Sequence, residues 1–120
     1  MGEFLIYGAN GYTGKLALQE ALRRGLRPIV AGRNREALAA LAAPHGLPVR
    51  AFDLADAGTV ASALNGVGLV LHCAGPFSAT CAPMLEGCLA VGAHYLDITG
   101  EVDVFAHCHA QDARAKAKGI

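Results

Sequence analysis

The heptapeptide Gly8-Ala9-Asn10-Gly11-Tyr12-Thr13-Gly14 follows directly on the apolar run Phe4 to Tyr7 and leads into a stretch with Leu16, Leu18 and Leu22 at helical spacing. A strand that turns at once into a helix needs residues without a Cβ at the turn, and a helix packed close on a sheet needs another. The helix N-terminus that results offers unpaired N–H groups and the positive end of the dipole, a natural seat for a phosphate. The spacing is GxxGxxG, a variant of the GxGxxG of dinucleotide-binding βαβ units. We therefore expect a pyrophosphate loop made of Gly8, Asn10, Gly11, Tyr12, Thr13 and Gly14, with ordinary turn glycines as the alternative. A side chain at Gly11 or Gly14 should abolish dinucleotide binding and leave much of the fold intact. An NTPase loop does not fit, because GxxxxGK[ST] would place glycine at position 9 and Ser or Thr at 16, where the chain has Ala9 and Leu16.

Short apolar runs alternate with helical patterns along the whole chain, the mark of repeated βαβ units and a parallel sheet. The expected strands are Phe4 to Tyr7, Pro28 to Ala31, Val49 to Phe52, Leu69 to Cys73 and His94 to Leu96. A first helix should reach Arg24 and end at Gly25. Asn34 should cap a second, carrying Leu38 and Leu41 and stopping before Pro44. Asp56 should cap a third through Leu64, with Asn65-Gly66 as the turn into strand four. A fourth helix is expected over Ala82 to Val91 with Pro83 in its first turn, and a fifth over Val102 to Lys118, ended by Gly119. Ile120 reads as the start of a sixth strand, so the chain is expected to be a truncated single dinucleotide-binding domain, residues 1–120. The fold class is α/β, a doubly wound parallel sheet of five to six strands with helices on both faces.

Composition narrows the function. Hydrophobic residues make up 53% and charged residues 17%, which suits a sheet buried on both faces. The formal net charge is zero, so there is no basic footprint for nucleic acid. No apolar run reaches the roughly 18 residues of a membrane span and no basic leader precedes the first strand, so we expect no membrane partner and a cytoplasmic location. Cys73, Cys81, Cys88 and Cys108 form no CxxC pair and read as small packed hydrophobes. Cys73, near the ligand end of strand four, could instead be reactive.

At the end of strand two an NAD site carries a carboxylate for the ribose hydroxyls and an NADP site a basic residue. Here the residues are Gly32-Arg33-Asn34-Arg35. Arg33, with Asn34 beside it, is expected to engage a ribose 2′-phosphate, making NADP(H) the cofactor in preference to NAD(H). Arg35 is a second candidate that the helix start could turn to solvent. Asp53, just past strand three, could accept a hydrogen bond from the adenine amino group or cap the following turn. Ala74, Gly75, Pro76 and Phe77 leave the carboxyl end of strand four, where ligands lie in such sheets; the small residues would admit the cofactor, and Pro76 and Phe77 would wall the nicotinamide ribose or form an ordinary loop corner.

Taken together, GANGYTG at Gly8 to Gly14, AGRN at Ala31 to Asn34, CAGPF at Cys73 to Phe77 and HYLDITGE at His94 to Glu101 resemble the saccharopine dehydrogenase family and its wider set of related oxidoreductases. The resemblance covers nearly the whole chain, and its most specific part is Tyr95-x-Asp97-x-x-Gly100-Glu101. It implies a Rossmann-type domain of an NADP-linked oxidoreductase whose separate second domain binds substrate and forms a dimer. It also implies substrates that range from amino-acid conjugates such as saccharopine to enoyl, lipid-like compounds. Read from the residues alone, Tyr95, Asp97 and Glu101 could hydrogen-bond substrate or brace the loop, and the two carboxylates could equally cap the helix near Val102.

His107-Cys108-His109 is not expected to bind metal, because successive helical residues point about 100° apart. No other metal site and no catalytic group is identified; Asp103 and His107 could pair along the helix. The leading function is hydride transfer between NADP(H) and a small-molecule substrate held by a further domain. A module that senses NADP(H) without turnover is the competing class. An open edge beside strand five would favour a homodimer.

Overall fold

A computed structural model describes residues 3–120. Five parallel strands form one sheet: β1 (Glu3–Tyr7), β2 (Ile29–Gly32), β3 (Val49–Ala51), β4 (Val67–His72) and β5 (His94–Asp97), in the order β3-β2-β1-β4-β5. The helices between them are α1 (Tyr12–Arg23), α2 (Arg35–Ala42) with a 3-10 turn at Ala43–His45, α3 (Ala57–Ala63) and α4 (Phe77–Val91); α5 (Val102–Ala110) and α6 (Asp112–Lys118) follow β5. This is the doubly wound α/β arrangement expected.

Alternation along the strands divides the core. Leu5, Tyr7, Ile29, Ala31 and Val70 face Val60, Leu64, Met84 and Cys88 of α3 and α4 and the residue that follows α3. Ile6 and Val30 face Leu18, Leu38 and Ala42 of α1 and α2. Because both faces are covered, the central strands are apolar through their middles rather than alternating with polar residues, and Glu3 and His72 stand only at the ends of β1 and β4. Gly87 lets α4 approach α3 closely: a Cβ there would lie 2.5 Å from Val60 Cγ1. At the outer edge beyond β2, the half-buried β3 is only three residues long. Its Arg50 donates to the carbonyls of Ala63 and Asn65, each at 2.8 Å, which ties that edge to the C-terminal end of α3.

Several boundaries differ from expectation for local reasons. Strand four begins at Val67, where Glu3 pairs with it. α4 begins at Phe77 rather than Ala82, so Pro83 sits well inside the helix. Lacking an N–H, Pro83 leaves the Ala79 carbonyl without its usual helical donor. The long last helix is two helices broken at Gln111, whose φ of −92° and ψ of 7° leave the helical region. Ile120 is not a strand residue; its N–H bonds to Ala115 O at 3.0 Å and closes the end of α6 behind Gly119. Among the described residues no helix is long and apolar enough to cross a membrane.

Candidate cofactor site

The sheet order reverses between β2-β1 and β1-β4, so the connections leaving β1 and β4 diverge and open a crevice at the carboxyl ends of the strands. Tyr7, Gly8, Asn10 and Gly11 line it on one side, Gly32, Arg33 and Asn34 on a second, and Cys73, Ala74 and Gly75 on the third. An adjoining cleft shares Tyr7, Arg33, Ala74 and Gly75 and adds Asp53, Leu54, Pro76, Ala79 and Thr80. Most residues expected to touch a cofactor thus converge from four separate stretches of chain.

The three loop glycines do different work. Gly8 has φ of +80°, and a Cβ on it would lie 2.9 Å from Ala74 N, so the two loops meet there. A Cβ on Gly14 would fall 2.0 Å from Gly8 O and 2.8 Å from Ala9 Cα. Gly14 therefore serves the packing of α1 on its own loop, and the expectation that it could be replaced with the fold intact is corrected. Gly11 differs, since a Cβ there would meet Gly8 O at only 3.4 Å. Nothing in the protein demands glycine at that point, and the space it leaves belongs to the crevice.

Gly11 is also the N-cap of α1, and no side chain accepts from the first turn, which contains no acidic residue. The N–H groups at that helix end keep the anion-binding capacity that a capping carboxylate would cancel. An uncapped helix start beside a Cβ-free opening fits a pyrophosphate. Tyr12, 83% exposed, and Thr13 lie on the first turn of α1 outside the crevice lining, so at those positions the backbone rather than the side chain is available.

Arg33 is exposed at the mouth of both clefts. Asn34 caps α2, accepting from Ala37 N at 3.1 Å. Gly32 was not singled out in the sequence, although AGRN contains it; a Cβ there would stand 3.2 Å from Asn10 Oδ1, so its smallness makes room for the Asn10 amide. Asp53 caps the following turn, accepting from Ala55 N at 3.0 Å, and it also lines the cleft that Arg33 borders. The cleft therefore holds a carboxylate together with Arg33, contributed by the segment that follows β3.

Below the clefts Tyr7 donates its hydroxyl proton to Phe52 O at 2.7 Å. Burial first, and then the Asp53 carboxylate, push its phenol up to about 12 against the pull of Arg33, so Tyr7 is a neutral floor rather than an acid or base. His72 is fully buried at the end of β4 and went unnoticed in sequence. Its Nε2 meets Thr80 Oγ1, which in turn donates to Ala74 O at 2.7 Å. Phe77 begins α4 and packs edge-on against His72 with ring centroids 5.1 Å apart, outside both clefts. Pro76, which follows a cis Gly75–Pro76 bond, lines the adjoining cleft. Burial raises the Cys73 thiol, which favours the inert packed reading over the reactive one.

At the end of β5, Asp97 accepts from Tyr95 Oη at 2.7 Å and from Thr99 N at 3.2 Å. The N-cap of α5 is Glu101, whose side chain makes no cap; Thr99 Oγ1 instead accepts from Glu101 N. Both carboxylates therefore brace the loop rather than cap the helix.

Comparison with known proteins agrees with this geometry. The chain is 31% identical over 115 residues to a probable mitochondrial saccharopine dehydrogenase-like oxidoreductase of Arabidopsis thaliana, covering 82% of this chain and 25% of that protein. It is 31% identical over 107 residues to a trans-acting enoyl reductase of Mycobacterium leprae, covering 83% and 26%. The chain thus spans about a quarter of the length of these relatives. Triphenylmethane reductase of Citrobacter sp., crystallised with NADP(H), superposes with a TM-score of 0.76 at 23% identity, covering 98% of this chain and 46% of that one, a likeness of fold. Residues 4–120 match the saccharopine dehydrogenase NADP binding domain, and the chain belongs to that family.

Proposed function

We propose that this chain is the cofactor-holding part of an NADP(H)-dependent oxidoreductase that moves a hydride to or from an amino-acid conjugate or an enoyl, lipid-like compound. The observation that carries the reading is the crevice itself, with an uncapped helix start at Gly11 on one side and the exposed Arg33 on the other. In this reading the backbone from Gly8 to Gly14, with the Asn10 side chain, holds the pyrophosphate. Arg33 and Asn34 take the 2′-phosphate, and Asp53 borders the adenosine. Ala74 and Gly75 leave room for the remainder. Bound NADPH supplies the hydride; the protein's part is to orient it and to keep water from one face.

Turnover also needs the acceptor carbon held against the nicotinamide, a positioning that lowers the barrier by several kcal/mol. We assign that task to a further domain, consistent with relatives about four times this length, and we assign self-association to the open β5 edge. The test has two arms. Fluorescence titration of residues 1–120 should show NADPH bound at least about tenfold more tightly than NADH. A panel of saccharopine-type and enoyl substrates, followed by NADPH absorbance, should give turnover with the longer protein and none with this chain. Equal affinity for the two nucleotides would remove the Arg33 assignment, and binding without turnover in the longer protein would favour a sensing module.

A further inference from the structure

Cys81 of α4, Asp97 at the end of β5 and Cys108 of α5 bring one ligand atom each to within 4.8 Å of one another, from three elements widely separated in sequence. The two sulfurs are 3.6 Å apart. Two thiolates on a tetrahedral zinc ion, each bonded at about 2.3 Å, stand roughly 3.8 Å apart, so the pair is already spaced for a shared ion. The Tyr95 hydroxyl, bonded to Asp97, stands in the same group. A carboxylate has about four lone-pair sites, so Asp97 can keep its bonds to Tyr95 and Thr99 and still coordinate.

The electrostatics point the same way. Three groups that become anionic on losing a proton are gathered here, and among the described residues no ion pair reaches Asp97. A divalent cation would stabilise all three as anions, since a coordinated thiol is held as thiolate. A cavity lined by Phe77, Ser78, Val104 and His107 borders Cys81.

We propose that Cys81, Cys108 and Asp97 form a site for a soft divalent cation of the zinc class, with water in the fourth position. Binding exchanges two thiol protons for the metal: the two S–H bonds break, two metal–sulfur bonds and one metal–oxygen bond form, and two protons leave to solvent with no change of oxidation state. The site would pin the β5 loop to both flanking helices, and it lies apart from the crevice that Arg33 borders.

The probe is Co²⁺, added to metal-free protein kept reduced with a phosphine. Wild type should develop the near-ultraviolet thiolate-to-cobalt charge-transfer band and the visible spectrum of a tetrahedral ion, release two protons per ion bound, and lose the signal on adding Zn²⁺. Cys108→Ala, at a half-buried position, should lose the charge-transfer band. Asp97→Asn, which keeps both thiols, should retain it with affinity lowered at least about tenfold. Circular dichroism of each variant establishes that it is folded, and His109→Ala, at an exposed position, should bind as wild type does. No thiolate band in wild type, a band unchanged in Cys108→Ala, a cobalt affinity unchanged in Asp97→Asn, or a band lost in His109→Ala would each overturn the site.

Discussion

His72 Nε2 and Thr80 Oγ1 stand 2.9 Å apart, and because the Thr80 hydroxyl gives its own proton to Ala74 O, the imidazole is the donor. The relay holds the loop after β4 from beneath, at the wall of both clefts. It also fixes the tautomer and leaves Nδ1 bare, buried and without a partner. A charged imidazole is disfavoured in that setting: burial, outweighing the nearby Asp97 carboxylate, lowers the His72 pKa from 6.5 to about 4.

The sign of the resulting pH dependence follows. His72 is neutral in the folded chain and protonates more readily when unfolded, so its contribution is complete above about pH 6.5 and is lost as pH falls toward 4. The loss should reach about 2 kcal/mol by pH 5, before the carboxylates lowered by their partners, such as Glu86, begin to titrate. Urea unfolding of wild type and His72→Asn between pH 7 and pH 5 should show the slope in the former and a much flatter line in the latter.

Gly11 and Gly14 should separate binding from folding. Gly11→Val should fold with a near wild-type melting temperature and lose NADPH affinity, because its side chain enters only the crevice. Gly14→Val should be destabilised by at least about 3 kcal/mol or fail to fold, because backbone atoms occupy the space its Cβ would need. Melting curves set beside NADPH titrations check both, and equal stability of the two variants would contradict the division.

Replacing Arg33 by Asp should invert the cofactor preference. A charge-assisted contact to the 2′-phosphate contributes about 1.5–3 kcal/mol, roughly 10- to 150-fold in affinity. Since Asp53 already faces the adjoining cleft, a second carboxylate should repel the phosphate further and leave NADH binding the less affected. Kd values for both nucleotides, measured at one salt concentration, are the check.

Tyr7→Phe should cost about 1–2 kcal/mol of stability, from the loss of the donor to Phe52 O. The ring that forms the floor survives, so NADPH affinity should change little. Denaturant midpoints and Kd values measured on the same preparation test the two halves of this statement.

What the sequence made legible depended on range. The loop at Gly8, the Asn34 and Asp56 caps and the strand order of a doubly wound sheet are local or generic, and each is present. Arg33 could be placed because it follows a strand at a position with a known chemical role. His72 could not be singled out, since an apolar strand ending in histidine reads the same whether its ring meets a hydroxyl or faces solvent. The start of α4 was hidden because Pro76 and Pro83 both read as punctuation, yet the helix runs through the second. The break at Gln111 lies in a polar, alanine-rich stretch with helical propensity on both sides, so no residue announces it. Cys81, Asp97 and Cys108 share no motif; tertiary packing alone unites them.

The tether from Arg50 to the end of α3 gives the sheet unequal flanks. On the β3 side a three-residue strand and a bound guanidinium offer little for another strand to add to. On the β5 side Leu96 and Ile98 are 54% and 45% exposed. The two margins thus differ in kind: one is closed to a further strand by its shortness and its bound guanidinium, and the other presents apolar side chains to whatever lies beside it.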